Sequence, residues 1–402
     1  MSIITVIIPA LIVLDLLWWF AADRLLRKAG WKARARLLHS LFFAFQLAAL
    51  IAVIASRESE LWDHLPRFVT TAVYLWHLLI LPILIPLLAL GSIVALVCWI
   101  IRKTGARKPP QTPSDDPGMS RRAFLAATAA FTPQLFTVGL TAIALRQLEQ
   151  FRVRRLTIAI RDLPAALDGL TIAHVSDMHA GRFTRSAVLR QMTASVNDLR
   201  SEIILVTGDL INGALHEIPE GIDAIRRLDA PAGVHMIEGN HDLFQGRAAF
   251  ESNVKASGIP LLVNETAQLT VRGRPLQLLG QRWGGPIFRR RSGYDDETIA
   301  ASFAELLPLR DPEAFPILLA HHPHAFDHAA TAGIPLTLSG HTHGGQLMLN
   351  AEMGFGPMMF RYWSGHYTRG DSHLIVSNGV GNWFPLRTRA PAEVIHLTLH
   401  RA

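Results

Sequence analysis

The 402-residue chain is predicted to be an α/β protein, with membrane-spanning helices preceding a domain of alternating strands and helices. Three observations carry this reading. Four long apolar runs fall within the first 150 residues. From Leu156 onward, short apolar runs alternate with helical stretches. The charge is also unevenly divided. Of 39 Lys+Arg and 32 Asp+Glu, residues 1–150 hold 15 and 8 while residues 151–402 hold 24 and 24, so the net +7 belongs to the first part alone. Hydrophobic residues make up 50% of the chain, charged residues 18%, and mean hydropathy is +0.25, too apolar for a disordered chain. Because the second part is electrically balanced, no nucleic-acid partner is expected. Cys98 is the single cysteine, which excludes an intramolecular disulfide framework and any multi-cysteine metal site.

Residues 2–22 and 37–55 have the length a spanning helix needs, and only Asp15 interrupts the first. A structural role for Asp15, paired with a basic neighbour, is preferred to a functional one. The run 68–101 exceeds the hydrocarbon thickness as a straight helix, so it must tilt, kink or break; Pro82 and Pro86 mark the expected place, and Trp76 and Trp99 are expected near the interfaces. A fourth run covers 123–145. Basic residues flank the spans unevenly. Arg24, Arg27, Lys28, Lys32, Arg34 and Arg36 follow the first, and Arg102, Lys103, Arg107, Lys108, Arg121 and Arg122 precede the fourth. In 56–67, Arg57 and Arg67 are offset by Glu58, Glu60 and Asp63. With run three crossing once, the second part of the chain lies on the extracytoplasmic, periplasmic side of an inner membrane; a re-entrant pair would reverse this.

The expected organisation is three spans in 1–103, a proline-rich cytoplasmic linker in 104–119, a fourth span within 120–150, and the α/β domain in 151–402. Ser120-Arg121-Arg122-Ala123-Phe124-Leu125 resembles a twin-arginine export motif, although two arginines marking a cytoplasmic flank would read the same way.

Predicted strands at 170–175, 202–206, 233–237, 316–320, 334–338 and 373–376 end in polar or glycine residues, where an α/β fold displays its functional groups. After the first stands Ser176-Asp177-Met178-His179, with carboxylate and imidazole two residues apart. The next runs into Gly208-Asp209, the third into Gly239-Asn240-His241-Asp242, the fourth into His321-His322-Pro323, and the fifth into Gly340-His341-Thr342-His343-Gly344. Any one fragment alone is weak; five in this order, each beyond a predicted strand, are not.

Together these fragments resemble the signature of the calcineurin-like metallophosphoesterase superfamily: Asp-x-His, Gly-Asp, Gly-Asn-His-Asp/Glu, a lone His and Gly-His-x-His. The resemblance covers residues 156–402 and implies a sandwich of two mixed β-sheets flanked by helices, with two divalent metal ions at the strand ends. It implies Asp177, His179, Asp209 and His343 on one metal and Asp209, Asn240, His321 and His341 on the other, with Asp209 bridging. Mn, Fe, Zn, Co and Mg all suit such N/O ligands. The implied chemistry is in-line attack on phosphorus by metal-held hydroxide, with His241 contacting the phosphate and protonating the leaving oxygen. Arg182 is a candidate phosphate contact, Asp242 a candidate for orienting His241, and His322 a candidate outer partner. His174 and His235 fall within predicted strands and read as core residues.

Within the superfamily, the Asp-Arg-Gly continuation of protein phosphatases is absent after Asp209, and so is the tyrosine ligand of purple acid phosphatases. The chain is similar to bacterial membrane-associated metallophosphoesterases, including UDP-2,3-diacylglucosamine pyrophosphatase-like enzymes. That resemblance implies a phosphodiesterase or pyrophosphatase meeting a phosphorylated lipid or small-molecule substrate at a lipid bilayer. Arg289, Arg290 and Arg291, with Arg152, Arg154 and Arg155, are candidate headgroup contacts, against ordinary solvated arginines. The alternative from another class is a membrane sensor or scaffold whose metal domain binds a phosphorylated ligand without turnover.

Overall fold

The computed structural model describes residues 3–56, 64–104, 120–284 and 296–402. The proline-rich linker, the acidic loop residues Arg57 to Asp63 and the triple Arg289, Arg290 and Arg291 lie outside the described residues. The chain divides into two units, Met1–Leu145 and Arg146–Ala402.

Apolar sequence without strand-length punctuation makes the first unit helical: α1 (Ile3–Lys28), α2 (Ala33–Ser56), α3 (67–104) and α4 (Arg121–Gln147). Three helical stretches, Ala33–Ser56, Arg67–Ile101 and Arg121–Gln147, are long and apolar enough to cross a membrane. α1 has 26 residues, with Asp15 near its middle and Asp23, Arg24, Arg27 and Lys28 at its end. α4 begins at the twin-arginine-like segment, where Ser120 Oγ accepts the Ala123 N–H at 3.1 Å as an N-cap.

α3 does not break at its prolines. Its irregularity is a π-helical turn, Trp76–Ile80, in which the Leu81 N–H reaches back to the Trp76 carbonyl. Pro82 lacks an N–H and its ring crowds the carbonyl four residues earlier, so the wider turn forms on its N-terminal side. Trp76 is buried in the packing of these helices. Its Nε1–H donates to Asp15 Oδ1 at 2.7 Å, and His77 Nε2 lies 2.8 Å from Asp15 Oδ2. The other imidazole nitrogen of His77 donates to the Val73 carbonyl at 2.9 Å. Asp15 therefore pairs with a histidine across two helices, and Asp15, Trp76 and His77 are all buried. At the end of α1, Asp23 binds both Arg27 at 2.5 Å and Arg36 at 2.7 Å.

The second unit begins with β1 (Arg152–Ile160), β2 (Leu170–Val175), α5 (Ser186–Asp198), β3 (Ile203–Thr207), α6 (Ile218–Arg226), β4 (Val234–Ile237) and α7 (Arg247–Ala256). It continues through β5 (Glu265–Val271), β6 (Arg274–Gly280), α8 (Asp296–Leu306), β7 (Phe315–Leu319), α9 (Ala325–Thr331) and β8 (Leu336–Ser339), and ends with α10 (Phe355–Met359), β9 (Gly365–Arg369), β10 (Ser372–Val376) and β11 (Glu393–Arg401). One sheet has the order β1-β11-β2-β3-β4 and the other β5-β6-β7-β8-β10-β9. Both are mixed, because β11 runs antiparallel to β2 and β9 antiparallel to β10, while β2-β3-β4 and β6-β7-β8-β10 are parallel.

The continuous apolar character of β3 and β7 follows from burial on both faces. Ile172, Ile203 and Leu205 of one sheet meet Leu278, Ile317 and Leu336 of the other in the core between the sheets. The outer face of the first sheet packs Val175, Val206 and Met236 against Met192, Ile225 and Phe250 of α5, α6 and α7. Leu279 and Leu318 of the second sheet pack against Phe303 and Ala329 of α8 and α9. This is the helix-flanked double sheet expected from the sequence.

Replacing Asp15 with Ala leaves two buried donors facing an apolar helix packing. Thermal unfolding in detergent should show the helical unit weakened by about 3 kcal/mol. A double-mutant cycle with His77→Ala should return a coupling above ~1 kcal/mol, and additivity would deny the pair.

Candidate metal centre

Parallel pairing sends the ends of β2, β3 and β4 the same way, so the segments that follow them meet at one end of the sheet. Backbone hydrogen bonds tie these loops together: Asp177 N–H to Gly208 O and His179 N–H to Asp209 O, each at 3.0 Å. β7 and β8 bring His321 and the Gly340–Gly345 segment from the other sheet, and Gly340 N–H donates to His321 O at 3.2 Å.

The backbone is strained where the ligand-type residues stand. Asp177 (φ 52°), His179 (φ 43°), Asp209 (φ 54°), His341 (φ 71°) and His343 (φ 49°) all occupy the left-handed region. Each costs on the order of 1 kcal/mol or more, a cost repaid where the turn aims a functional group. Gly340 is required for a different reason: a Cβ there would run into Ser176 Oγ and the Asp177 carboxylate.

The side chains converge on two adjoining positions. At the first, His343 Nε2 is 2.9 Å from His179 Nε2 and 3.3 Å from Asp177 Oδ1, and His179 Nε2 is 3.5 Å from Asp209 Oδ2. At the second, His321 Nε2 lies 3.2 Å from the same Asp209 Oδ2, and His341 Nδ1 lies 2.8 Å from Asn240 Oδ1. Neighbouring ligands about 2.1 Å from a cation stand roughly 3 Å apart, a spacing that these side-chain atoms already approach. Three groups among the described residues, Asp177/His179/His343, His179/Asp209/His241 and Asp209/His321/His341, each bring one atom per residue within 4.8 Å of the others. Asp209 Oδ1 accepts the His241 N–H at 2.8 Å, which leaves Oδ2 as the oxygen facing both positions.

The residues fit divalent cations. His321 donates its Nδ1–H to the Thr207 carbonyl at 2.7 Å, so its buried Nε2 is the nitrogen turned toward the site. That is the tautomer a metal-binding imidazole needs. Burial lowers the pKa of His179 and His341 well below the usual range, helped by neighbouring imidazoles, which keeps their lone pairs available. Burial lowers His321 too, but the Asp209 and Asp177 carboxylates outweigh it and raise its pKa to about 9.

The outer residues differ from expectation in part. Asp242 does not touch the His241 ring. It is buried, accepts Ile211 N–H at 3.1 Å and Gly239 N–H at 2.8 Å, and so ties the Gly208-Asp209 turn to the Gly239-Asn240 turn. Burial and the adjacent Asp209 charge raise its pKa well above the carboxylate range. The His241 ring is oriented instead by its Nδ1–H donating to the Asn212 carbonyl at 3.0 Å, and it stands edge-on to His179 with centroids 4.5 Å apart. His322 packs its ring 4.9 Å from that of His341. Arg182 is buried, with 3% of its surface exposed. His174 is a core residue, with Nε2 2.8 Å from Thr207 Oγ1.

Three contributors carried no ligand signature in the sequence. Arg387, buried, donates to His343 Nδ1 at 2.8 Å, Asn378 O at 2.8 Å, Gly381 O at 2.5 Å and Asn382 Oδ1 at 2.7 Å, binding the C-terminal segment to the last histidine. Trp283 lies against His321, His322 and His341, with centroids 5.1 to 5.9 Å away. Glu217 accepts the Ala214 N–H at 2.9 Å in the loop that orients His241, and burial raises its pKa to about 7.

Residues 170–345 match the calcineurin-like phosphoesterase family. The chain therefore contains a calcineurin-like metallophosphoesterase domain, the domain of a metal-dependent phosphoester hydrolase. It is 28% identical to the Bacillus subtilis metallophosphoesterase YkuE over 70% of this chain and 98% of that one. It is 25% identical to the UDP-2,3-diacylglucosamine pyrophosphatase LpxG of Chlamydia trachomatis, over 66% of this chain and 95% of that one. A Danio rerio transmembrane protein with a metallophosphoesterase domain is 27% identical over 61% of this chain. The chain spans 56% of that protein's length and between 52% and 63% of two other curated relatives.

Below pH 9 the cation-free site holds a proton on His321 that a cation must displace. Metal affinity should therefore rise with pH toward about 9, and calorimetry near pH 7.5 in buffers of different ionisation enthalpy should detect proton release on binding. Affinity independent of pH from 6 to 9 would contradict this assignment. Arg387→Met removes the guanidinium that bonds all four of these acceptors; unfolding assays should show a loss of at least ~2 kcal/mol.

Proposed function

We propose that the chain is a membrane-anchored phosphohydrolase using two divalent cations, a phosphodiesterase or pyrophosphatase acting on a lipid-linked or nucleotide-type phosphoester. The observation that carries this reading is Asp209 Oδ2 facing His179 Nε2 at 3.5 Å and His321 Nε2 at 3.2 Å, one carboxylate oxygen serving two sets of ligand atoms. Asp177, His179, Asp209 and His343 would hold one cation, and Asp209, Asn240, His321 and His341 the other. When bound, such a pair supplies Lewis acidity toward the phosphoryl oxygens and acidifies an attacking water.

The protein's own groups do the rest. With its Nδ1–H committed to Asn212, His241 presents Nε2 toward the site, where its protonated form gives a proton to the departing oxygen. Arg182, buried close to His179 in sequence, is assigned to the substrate phosphate. Asp242 and His322 act by position: the first fixes the two turns that carry Asp209 and Asn240, and the second supports the ring of His341.

The lipid-linked substrate rests on two supports: helices of spanning length in this chain, and similarity to LpxG, a UDP-2,3-diacylglucosamine pyrophosphatase. The asymmetry of basic residues around those helices supports an extracytoplasmic catalytic domain on an inner membrane. A second reading, a sensor whose metal domain binds without turnover, draws on the buried Asp15–His77 pair, which anchoring alone does not require. The complete ligand set favours the enzyme.

Purified protein with Mn²⁺ should hydrolyse bis-p-nitrophenyl phosphate. Asp209→Asn should lower the rate by more than the roughly 100-fold that loss of an outer partner costs, and full activity in that variant would refute the shared-carboxylate site. A phosphatase reporter that is active only outside the cytoplasm should be active when fused after Ala402; an inactive fusion reverses the topology.

A further inference from the structure

Exposed large apolar side chains are concentrated at one place in the second unit. Apart from Leu309, those of its described residues are Leu349, Met353, Phe355, Met358, Met359 and Trp383. Five lie within eleven residues of sequence, directly after the Gly340–Gln346 segment that supplies His341 and His343. Met358 is 77% exposed and Leu349 70%, values at which a methionine or leucine gains nothing from its own fold.

This segment is built, not loose. Leu349 N–H donates to Met353 O at 2.8 Å, and Asn350 Oδ1 accepts the N–H groups of Glu352 and Met353 at 2.8 and 2.7 Å, closing a tight hairpin. Phe355 N–H returns to Leu347 O at 3.2 Å, and Met348 N–H binds Thr388 O at 3.0 Å. Gly345 and Gly356 pass so closely that a Cβ on Gly345 would meet the Gly356 backbone at 2.6 Å. The fold thus pins a hairpin and a short helix against the metal-site turn and directs their apolar side chains to solvent. Phe360, next in the chain, has its ring 5.7 Å from that of His341, so the apolar surface continues to the candidate centre.

We propose that this Leu349–Met359 tip inserts into the surface of a lipid bilayer beside the metal centre, holding the site at the level of lipid phosphates. The choice of a bilayer as occupant follows from the chain itself. α4, of membrane-spanning length, ends at Gln147 and β1 begins at Arg152, so the second unit is attached to such a helix by a very short connection. Charge agrees: exposed Arg361, whose guanidinium also pairs with Asp327 at 2.8 Å, and exposed Arg389, one residue beyond the Leu347–Thr388 bridge, flank the apolar tip. Apolar insertion bordered by cations is the pattern of interfacial binding to anionic lipid. The consequence for substrate rests on the function proposed above; the insertion does not.

The full-length protein in nanodiscs of phosphatidylcholine and phosphatidylglycerol tests both. On a Cys98→Ser background, an environment-sensitive fluorophore at Met358→Cys should be quenched by doxyl-labelled lipids, while the same label at Leu309→Cys should not. Equal or absent quenching at the two positions overturns insertion, including the case in which a protein partner covers the tip. A Leu349→Ser/Met358→Ser/Met359→Ser variant should lower the ratio of lipid-phosphoester to bis-p-nitrophenyl phosphate hydrolysis about tenfold, the weight of roughly two buried methylenes. An unchanged ratio overturns the role in substrate capture. Quenching at Met358 in a wild-type protein that leaves lipid phosphoesters intact would refute the proposed substrate and uphold the inserted tip.

Discussion

The Asp209 carboxylate is the constraint on which the rest of the second unit depends. One of its oxygens is committed to the His241 N–H and the other faces His179 and His321. Desolvating a carboxylate so completely, at 1% residue exposure, is tolerable only when cations or donors surround it. The parallel strands, the left-handed turn residues and Asp242's double acceptance of backbone N–H groups all hold those neighbours in place. A sandwich with two parallel cores suits the task, because segments from both sheets must arrive at one end without crossing.

Much of this was legible in the sequence, for identifiable reasons. β2, β3, β4, β7, β8 and β10 are buried apolar runs with polar stops, and each was expected within about two residues of its observed bounds. β1, β5 and β9 were not expected: they are edge strands whose exposed faces carry polar residues such as Arg154, Gln268 and His366, so no apolar run marks them. β11 alternates Ile395, Leu397 and Leu399 with His396, Thr398 and His400, a period-two signal blurred by its histidines. Ligand types reveal themselves through spacing, whereas Arg387 and Trp283 act through contacts made only after distant segments fold together.

The helical unit shows the same division. Length and apolarity identified the runs, but the outcome at Pro82 and the partner of Asp15 depend on packing. Trp76 illustrates the point: an aromatic residue in an apolar run suits an interface, yet here its indole N–H satisfies a buried carboxylate. Burying Asp15 against His77 fixes the register of α1 on α3 more narrowly than apolar contacts do, since sliding either helix strands a polar group.

The proposed chemistry requires Asp209 to serve two cations at once. Titrating metal-free full-length protein with Mn²⁺, and counting bound metal by native mass spectrometry, measures this directly. Two ions per chain in the wild type, with both weakened together in Asp209→Asn, is the predicted result. A single ion per chain, or a variant that loses one ion while holding the other with unchanged affinity, would contradict it.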